Sequence, residues 1–378
     1  MDTKFLSYIT LSQENFAHNI QTLRALGHKD MHIAFAVKGN AYGHGLTEMV
    51  KIADPLVEYF VITNIDDLRI LRRESTKPTF VFGYIPPYLL DEAMNLGCIL
   101  GVFSFEHMNE IDTHARALGK VQEVHIACDA NLGREGFLET DMAQVFSRAK
   151  DCTGIQVTGM YAHFANIEDT NDFSHAQKQI DTYARMQAIA RESGYEKITT
   201  HISATSGLLT YEKDTGIHPI VRIGIGGYGL WPRETLERQY KKRGIELKPV
   251  LSWKTHVAQV KIVPIGVTVG YGLTYKTQRE TKMVLVPQGY ADGFPRALSN
   301  TGMVLIGGRR CPVIGRVSMN MFVVDATNVD EVHEGDEVVL IGEQGDKSIS
   351  ANEVAERSGT ISYEAVTRIS PLLPRVIC

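Results

Sequence analysis

The feature that most constrains the fold is a regular alternation of short apolar runs and amphipathic helical segments between residues 12 and 240. The helical segments have apolar residues three and four positions apart, and several end in glycine. The runs predicted to be strands are "HIAFAVKG", "YFVITN", "TFVFGY", "ILGVFS", "VQEVHIACD", "IQVTGMYAHF", "TTHISA" and "IVRIGIGGYGL". Eight strand and helix pairs in succession favour an α/β fold of the (β/α)8 TIM-like barrel type over an open doubly wound sheet.

The pattern changes after a charged stretch at residues 233–244. Beyond it, short strand-like runs separated by Gly, Pro and Asp turns continue to the end of the chain, with one helix near "SANEVAERSG". We therefore predict a barrel at residues 12–240 and a C-terminal mostly-β domain at residues 243–378. The strand in "FLSYITLS" is predicted to pair with that domain, so residues 1–11 are assigned to it.

Composition excludes several classes of function. A net charge of −5 and a pI near 6.2 give no basic surface for nucleic acid or an anionic membrane. The five cysteines are scattered, without a CxxC pair, which indicates free thiols in a reduced compartment and no metal site. Without a leader pattern or an apolar run of about 20 residues, the chain is expected to be a soluble cytoplasmic protein.

An apolar run that reads as a buried strand ends in Lys38, within "AFAVKGNAYGHG". Residues at the C-terminal ends of barrel strands face the active-site opening. A lysine there could simply extend into solvent, but a desolvated amine becomes neutral and can attack a carbonyl. Gly39, Gly43 and Gly45 would let the backbone approach a planar or anionic ligand, and Tyr42 adds a hydroxyl.

Two later strands end in groups suited to a phosphate. "HISATSG" supplies Thr205 and Ser206, and "VRIGIGGYGLWP" supplies the backbone amides of Gly224 and Ile225. Barrels often bind phosphate in the loops after strands seven and eight, although glycine-rich packing explains the same residues. Arg222 is harder to explain by packing, because a buried guanidinium needs a partner such as an acidic group or a ring nitrogen.

Four further residues are candidates for the active site, although each could equally have an ordinary structural role. Tyr271 in "VTVGYGLTY" and Met319 in "VSMNM" belong to the β region, where such residues are common. His163 in "MYAHF" could be a packed core histidine, and Arg134 in "NLGREGF" could be an exposed loop arginine. None of them decides a function alone.

Together these motifs resemble the alanine racemase family, which has an N-terminal barrel and a C-terminal β domain. "AVKGNAYGHG" is close to the family's lysine motif, and "GYGLTY", "GYADGFPR" and "TISYEAVTRISPLLPR" follow in the family's order over nearly the whole chain. The resemblance implies an isomerase with the cofactor pyridoxal 5'-phosphate. It would interconvert L- and D-alanine by two-base proton transfer on the Schiff base of cofactor and substrate, and so supply D-alanine for peptidoglycan.

The resemblance also implies roles for individual residues. Lys38 would bind the cofactor aldehyde and act as one catalytic base, and Tyr271 would be the other. The other residues implied to bind the cofactor are Tyr42, His163, Thr205, Arg222, Gly224, Ile225 and Tyr363. Arg134 and Met319 would contact the substrate. In the family, Tyr271 and Met319 would act on the site of the opposite subunit, which implies a homodimer with shared active sites.

The chemistry explains why two bases are needed, since the α-proton leaves one face of the amino acid and another returns to the opposite face. Free lysine and tyrosine both titrate near 10. Desolvation would lower the pKa of Lys38, and a cation such as Arg134 would favour a tyrosinate. Arg222 can only donate, so it would keep the cofactor's ring nitrogen unprotonated and limit side reactions.

Some positions depart from the family pattern. Ala127 stands where the family often has a carbamylated lysine whose negative charge positions the arginine, so Arg134 would rely on a bound anion or another residue. Ala204 and Thr205 replace an Asn-Ser pair, and Asn320 replaces an acid. These departures leave open a serine or broad-spectrum racemase.

Three rival classes fit less well. A decarboxylase or lyase with the same cofactor is not expected to have "GYGLTY", and a non-catalytic cofactor carrier lacks a β domain. A metal-dependent barrel hydrolase needs paired histidines, but the chain has no HxH or HExxH motif.

Overall fold

The computed structural model describes residues 4–168, 170–211 and 219–378. The described residues form two compact units. The β unit comprises the segments Met1–Phe16, Gly39–Glu48 and Lys248–Cys378, and the barrel unit comprises Ala17–Lys38 and Met49–Leu247. Of the segment 1–11 that we assigned to the C-terminal domain, residues 1–3 lie outside the described residues.

The barrel unit contains a sheet of eight parallel strands in the order β8-β7-β6-β5-β4-β3-β2-β9. They are β2 (His32–Ala36), β3 (Tyr59–Ile62), β4 (Thr79–Val81), β5 (Ile99–Val102), β6 (Gln122–Ala127), β7 (Ile155–Tyr161), β8 (Thr199–His201) and β9 (Ile220–Ile223). Between β8 and β9 the backbone N–H of Arg222 donates to the carbonyl of Ser203 at 3.0 Å. The sheet thus forms a nearly closed barrel, which confirms the predicted fold class.

The strands form where the sequence is continuously apolar, because both faces of a parallel barrel sheet are covered. All four residues of β5 and of β9 are buried. The helices of the alternating pattern are α1 (Gln13–Leu26), α3 (Leu46–Ala53), α4 (Ile65–Glu74), α5 (Pro87–Leu96), α6 (Phe105–Ala117), α7 (Met142–Asp151), α8 (Ser174–Glu192), α9 (Thr205–Thr210) and α10 (Glu234–Lys241). Asn64 and Ser104 cap α4 and α6 by accepting backbone N–H groups of their first turns.

The β unit is built on a mainly antiparallel sheet in the order β11-β14-β17-β16-β15-β18-β10-β1-β20, with β19 beside β18. Its strands are β1 (Tyr8–Leu11), β10 (Leu251–His256), β11 (Gln259–Val263), β12 (Thr268–Val269), β13 (Tyr275–Lys276), β14 (Thr281–Val286), β15 (Met303–Ile306), β16 (Arg309–Ile314), β17 (Phe322–Asp325), β18 (Glu337–Gln344), β19 (Lys347–Ile349) and β20 (Arg375–Ile377). The N-terminal strand β1 pairs antiparallel with β10 and parallel with β20.

Two helices complete the β unit, α11 (Ala351–Ser358) and α12 (Ser362–Thr367). Ser350 caps α11 by accepting the backbone N–H of Glu353, and Gly359 ends it in the left-handed conformation. Across the described ranges of both units, every helix is too short or too polar to cross a lipid bilayer.

Candidate active site

The segment after β2 is a left-handed turn, α2 (Lys38–Tyr42). Gly39, Asn40, Ala41 and Tyr42 have φ values of 62°, 53°, 52° and 52°. For residues with a side chain this conformation costs roughly 1–2 kcal/mol each. Backbone strain of this kind persists only where the surrounding structure enforces it, and it concentrates at functional sites.

Within the β unit, other protein atoms occupy the space that a side chain would need at two glycines of this motif. A methyl group on Gly43 would lie 1.8 Å from the carbonyl oxygen of Val366, and one on Gly45 would lie 2.5 Å from the Glu48 carboxylate. Arg375 donates from Nη2 to the carbonyl of Gly43 at 2.8 Å. The sequence suggested that these glycines make room for a ligand, whereas in the structure they make room for α12 and the C-terminal strand.

Lys38 begins this turn at the carboxyl end of β2 and lies in a cationic environment of the barrel unit. Its pKa is lowered from the ordinary value, first because surrounding protein partly removes the amine from water, and then by the charges of Arg134 and Arg222. The carboxylate of Glu135 acts in the opposite direction. The side chain remains accessible to solvent at this end of the strand, so it is an amine that loses its proton readily and can be reached.

Arg222 lies in β9, next to β2, and is held firmly by the barrel. Its Nη2 donates to the carbonyls of Ala162 and Ile202, the latter at 2.8 Å. The guanidinium carbon lies 5.6 Å from the ring centroid of Tyr161. Burial lowers the pKa of Arg222 to about 10, so the group stays charged at neutral pH and acts only as a donor.

His163 follows β7 and is the third acceptor for Arg222, with Nδ1 at 3.4 Å from Nη2. Burial, and then the charges of Arg222, Arg134 and Lys38, lower the pKa of His163 to about 3. The imidazole is therefore neutral. Because a guanidinium always donates, Nδ1 is the unprotonated nitrogen and the proton resides on Nε2.

The loops after β8 and β9 meet at Thr205. Its hydroxyl oxygen accepts the backbone N–H of Gly224 at 3.1 Å and that of Gly226 at 3.4 Å. Ile225 is buried between them in the chain. Ser206, the other hydroxyl of this cluster, lies instead 2.5 Å from the Glu168 carboxylate. The structure thus places Thr205 against Gly224 and Gly226, on either side of Ile225, whereas the Ser206 hydroxyl contacts Glu168. A phosphate at this position stays a prediction.

The remaining candidates belong to the β unit. The rings of Tyr42 and Tyr363 are 6.1 Å apart. Tyr271 begins a tight turn after β12 and is 74% exposed, and Met319 is 56% exposed. The Tyr271 turn packs on Arg316, because a methyl group on Gly272 would lie 3.0 Å from its Nε.

Sequence reasoning missed Glu135, which stands beside Arg134 in the loop after β6. Arg134 donates through Nε and Nη2 to the two carboxylate oxygens of Glu135. In the sequence the two residues look like ordinary exposed charges. The signal that could have found the pair is an acid directly after an arginine whose expected anionic partner at position 127 is an alanine. The candidate residues of the barrel unit therefore form a cluster of three cations, a neutral histidine and one carboxylate.

The chain is similar to known proteins over its full length. Residues 11–232 match the family model "Alanine racemase, N-terminal domain", and residues 250–377 match "Alanine racemase, C-terminal domain". The alanine racemase of Clostridium perfringens strain SM101 is 36% identical over 370 residues, covering 95% of this chain and 92% of that protein. That of Desulfosudis oleivorans is 33% identical over 386 residues, covering 99% and 97%.

Solved structures agree with the sequence relatives. The alanine racemase from Bacillus anthracis with bound L-Ala-P has a TM-score of 0.91 and 31% identity, over 100% of this chain and 96% of that chain. Both family models together match most of the chain, and the relatives exceed 30% identity across it. This chain therefore belongs to the alanine racemase family, a family of isomerases that depend on pyridoxal phosphate.

Proposed function

We propose that this chain is an alanine racemase that interconverts L- and D-alanine with bound pyridoxal phosphate. The observation that carries the proposal is the amine of Lys38, whose pKa is lowered beside Arg134 and Arg222 at the carboxyl end of a barrel strand. An amine with a lowered pKa is neutral more often than that of a free lysine, so it reacts with an aldehyde and accepts a proton more readily.

The residues of the barrel unit fit the cofactor. Arg222 is a buried, obligate donor whose Nη2 is fixed by two carbonyls, and it suits a ring nitrogen that stays unprotonated. Thr205 and the amides of Gly224 and Ile225 are the proposed phosphate ligands of this unit, and Tyr42 and Tyr363 are those of the β unit. His163 would lie beside the ring as a neutral group. When bound, pyridoxal phosphate supplies an electron sink for the charge left by the departing α-proton.

The chain's own groups would move the proton. Nζ of Lys38 takes or returns it on one face of the α-carbon, and Oη of Tyr271 does so on the other. The guanidinium of Arg134 binds the substrate carboxylate, and Met319 contacts the substrate. Two bases are needed because one fixed base returns the proton to the face that it left.

Chiral analysis of a panel of L-amino acids tests the proposal. The purified chain with pyridoxal phosphate is incubated with L-alanine, L-serine and L-lysine, and the enantiomers are separated by chromatography. We expect D-alanine to accumulate to equality with L-alanine. Faster conversion of serine would indicate a serine or broad-spectrum racemase, and no conversion of any member would overturn the proposal.

We further propose a homodimer in which Tyr271 and Met319 of one subunit act on the site of the other. The high exposure of both side chains supports it. Mixing Lys38→Ala subunits with Tyr271→Phe subunits and allowing exchange tests it, because a mixed dimer would contain one intact site. Statistical exchange should restore about a quarter of wild-type activity, whereas sites built within one subunit would stay inactive.

A further inference from the structure

The loop after β6 holds its tip in one backbone conformation. The carboxylate of Asp129 accepts the backbone N–H groups of Leu132 at 2.8 Å and Gly133 at 2.9 Å. The N–H of Phe137 donates to the carbonyl of Ala127 at 2.9 Å, and closes the loop. Arg134 and Glu135, at its tip, are therefore presented by a fixed backbone.

The two side chains at this tip form a bidentate ion pair, joined by two hydrogen bonds. Nη2 of Arg134 donates to Oε1 of Glu135 at 2.8 Å, and Nε donates to Oε2. A planar guanidinium on a planar carboxylate fixes the orientation of both groups. Because the pair engages only two of the five N–H groups of a guanidinium, its geometry leaves donors for a second carboxylate.

Glu135 is also the carboxylate of the barrel cluster that acts on Lys38, and Asp129 is a second carboxylate that acts on Arg134. The charged groups that act on Lys38 are Arg134, Arg222 and Glu135, and Glu135 alone raises the pKa of that lysine. His163 is neutral, and position 127, at the end of β6, is a buried alanine that contributes no charge. Without Glu135, the charges of Arg134 and Arg222 would act on Lys38 with no carboxylate to oppose them there.

We propose that Glu135 is a positioning residue of the site. Its carboxylate holds the guanidinium of Arg134 in the orientation that binds the substrate carboxylate, and by pairing with Arg134 it offsets the positive charge beside Lys38. The part that concerns the substrate rests on the proposed racemase function, whereas the part that concerns Lys38 does not.

The chain offers a matched control. Arg185 donates through Nε and Nη2 to Glu139 at 2.7 and 2.8 Å, in the same unit and with the same two-point geometry. This pair is also largely exposed, and exposed pairs contribute little to stability. Glu139→Gln therefore removes an equivalent carboxylate outside the cluster and should leave racemisation unchanged.

Kinetics of the cofactor-loaded enzyme test the orientation of Arg134. Glu135→Gln should raise the KM for L-alanine about tenfold or more, with a smaller change in kcat, because a charged hydrogen bond that orients a ligand-binding group is lost. Glu135→Asp keeps the carboxylate and should recover part of the loss. A KM within twofold of wild type for Glu135→Gln, or an equal rise for Glu139→Gln, would overturn the proposal.

Chemical labelling of Lys38, in the full chain without cofactor, tests whether the negative charge of Glu135 acts on this lysine. The rate of acylation of Lys38 by an N-hydroxysuccinimide ester is followed against pH by peptide mass spectrometry. Glu135→Gln should move the midpoint of this profile to lower pH, since the carboxylate that favours the ammonium is gone, and Glu139→Gln should not. An unchanged or raised midpoint in Glu135→Gln contradicts the proposal.

The two measurements separate the two hypotheses. If the wild-type chain racemises no amino acid but the labelling midpoint falls in Glu135→Gln, the racemase function is wrong and the charge role of Glu135 stands. If the wild type racemises alanine and neither the KM nor the midpoint responds to Glu135→Gln, the racemase function stands and the role of Glu135 is wrong.

Discussion

The two units present their candidate catalytic groups in opposite ways. In the barrel unit, Arg222 is 8% exposed and its position is fixed by carbonyls of two strand ends, while Lys38 stands in the field of three neighbouring charges. In the β unit, Tyr271 lies on a surface turn and is 74% exposed. The barrel unit therefore places charged groups beside its lysine, whereas the candidate tyrosine of the β unit lies on an exposed turn.

The largest expected effect is the loss of racemisation when the lysine of the barrel unit is replaced. Lys38→Ala should lower racemisation by at least about 10⁴-fold, the upper range for one acid–base group, because the proposed lysine also binds the cofactor. Lys51→Ala, which removes a surface lysine 3.5 Å from Glu74, should change the rate little. Chiral chromatography of alanine measures both, and a Lys38→Ala protein within tenfold of wild type would exclude the proposed role.

Loss of the exposed candidate base of the β unit should have a different effect on the reaction. Tyr271→Phe should lower racemisation by about 10²–10⁴-fold, yet Lys38 should still exchange the α-proton of one enantiomer with D2O. Proton NMR of each enantiomer follows that exchange. Tyr275→Phe, four residues later in the same segment, provides the control. Equal loss of exchange for both enantiomers would contradict the assignment of one base to each face.

A structural test addresses the turn after Lys38. Gly43→Ala should lower the free energy of unfolding by about 3 kcal/mol or more, because a residue with φ of 78° becomes strained and its methyl group overlaps the Val366 carbonyl. Gly359→Ala has a similar φ of 73° with open space around it, so it should cost only about 1 kcal/mol. Urea unfolding compares them, and equal losses would show that overlap with α12 does not matter.

The smallest effect per residue is the loss of stability at low pH, which should differ between the two units. Lowered histidine pKa values, caused mainly by burial, are about 4 for His107, about 3 for His125 and about 3 for His163 in the barrel unit, and about 4 for His44 in the β unit. The unfolded chain binds these protons first, so stability is complete above pH 6.5 and falls as the pH drops towards 4. Each fully buried histidine should cost about 2 kcal/mol by pH 5.

Hydrogen exchange with mass spectrometry at pH 7 and pH 5, corrected for the intrinsic rate, measures this loss in each unit. We expect the barrel unit to lose more protection than the β unit, because it holds three of the four histidines just named. Greater loss in the β unit would show that the histidines do not govern acid sensitivity.

Much of the barrel could be predicted because its information is local. Continuous apolar runs such as "HIAFAV" and "IVRIGI" specify strands covered on both faces, and helical spacing between them specifies the outer helices. The position of Lys38 after the end of its strand, and that of Arg222 within its strand, follow from the same pattern. Resemblance to the family motifs predicted candidate residues in both units, because each motif is a contiguous stretch of sequence.

Other properties depend on contacts between residues far apart in the chain, so they could not be predicted from the sequence. The glycines after Lys38 suggested space for a ligand, but Val366 and Arg375 occupy that space from more than 300 positions away. The tautomer of His163 is set by Arg222, and the charge of the barrel cluster by Glu135.

The sequence by itself therefore determined the fold class and the family and predicted the reacting groups, because periodicity and motifs are properties of neighbouring residues. Only the tertiary structure decided that the pKa of Lys38 is lowered and which residues the strained turn packs against. A pKa and a packing contact depend on which distant atoms approach within a few ångströms, and that proximity exists only after the chain has folded.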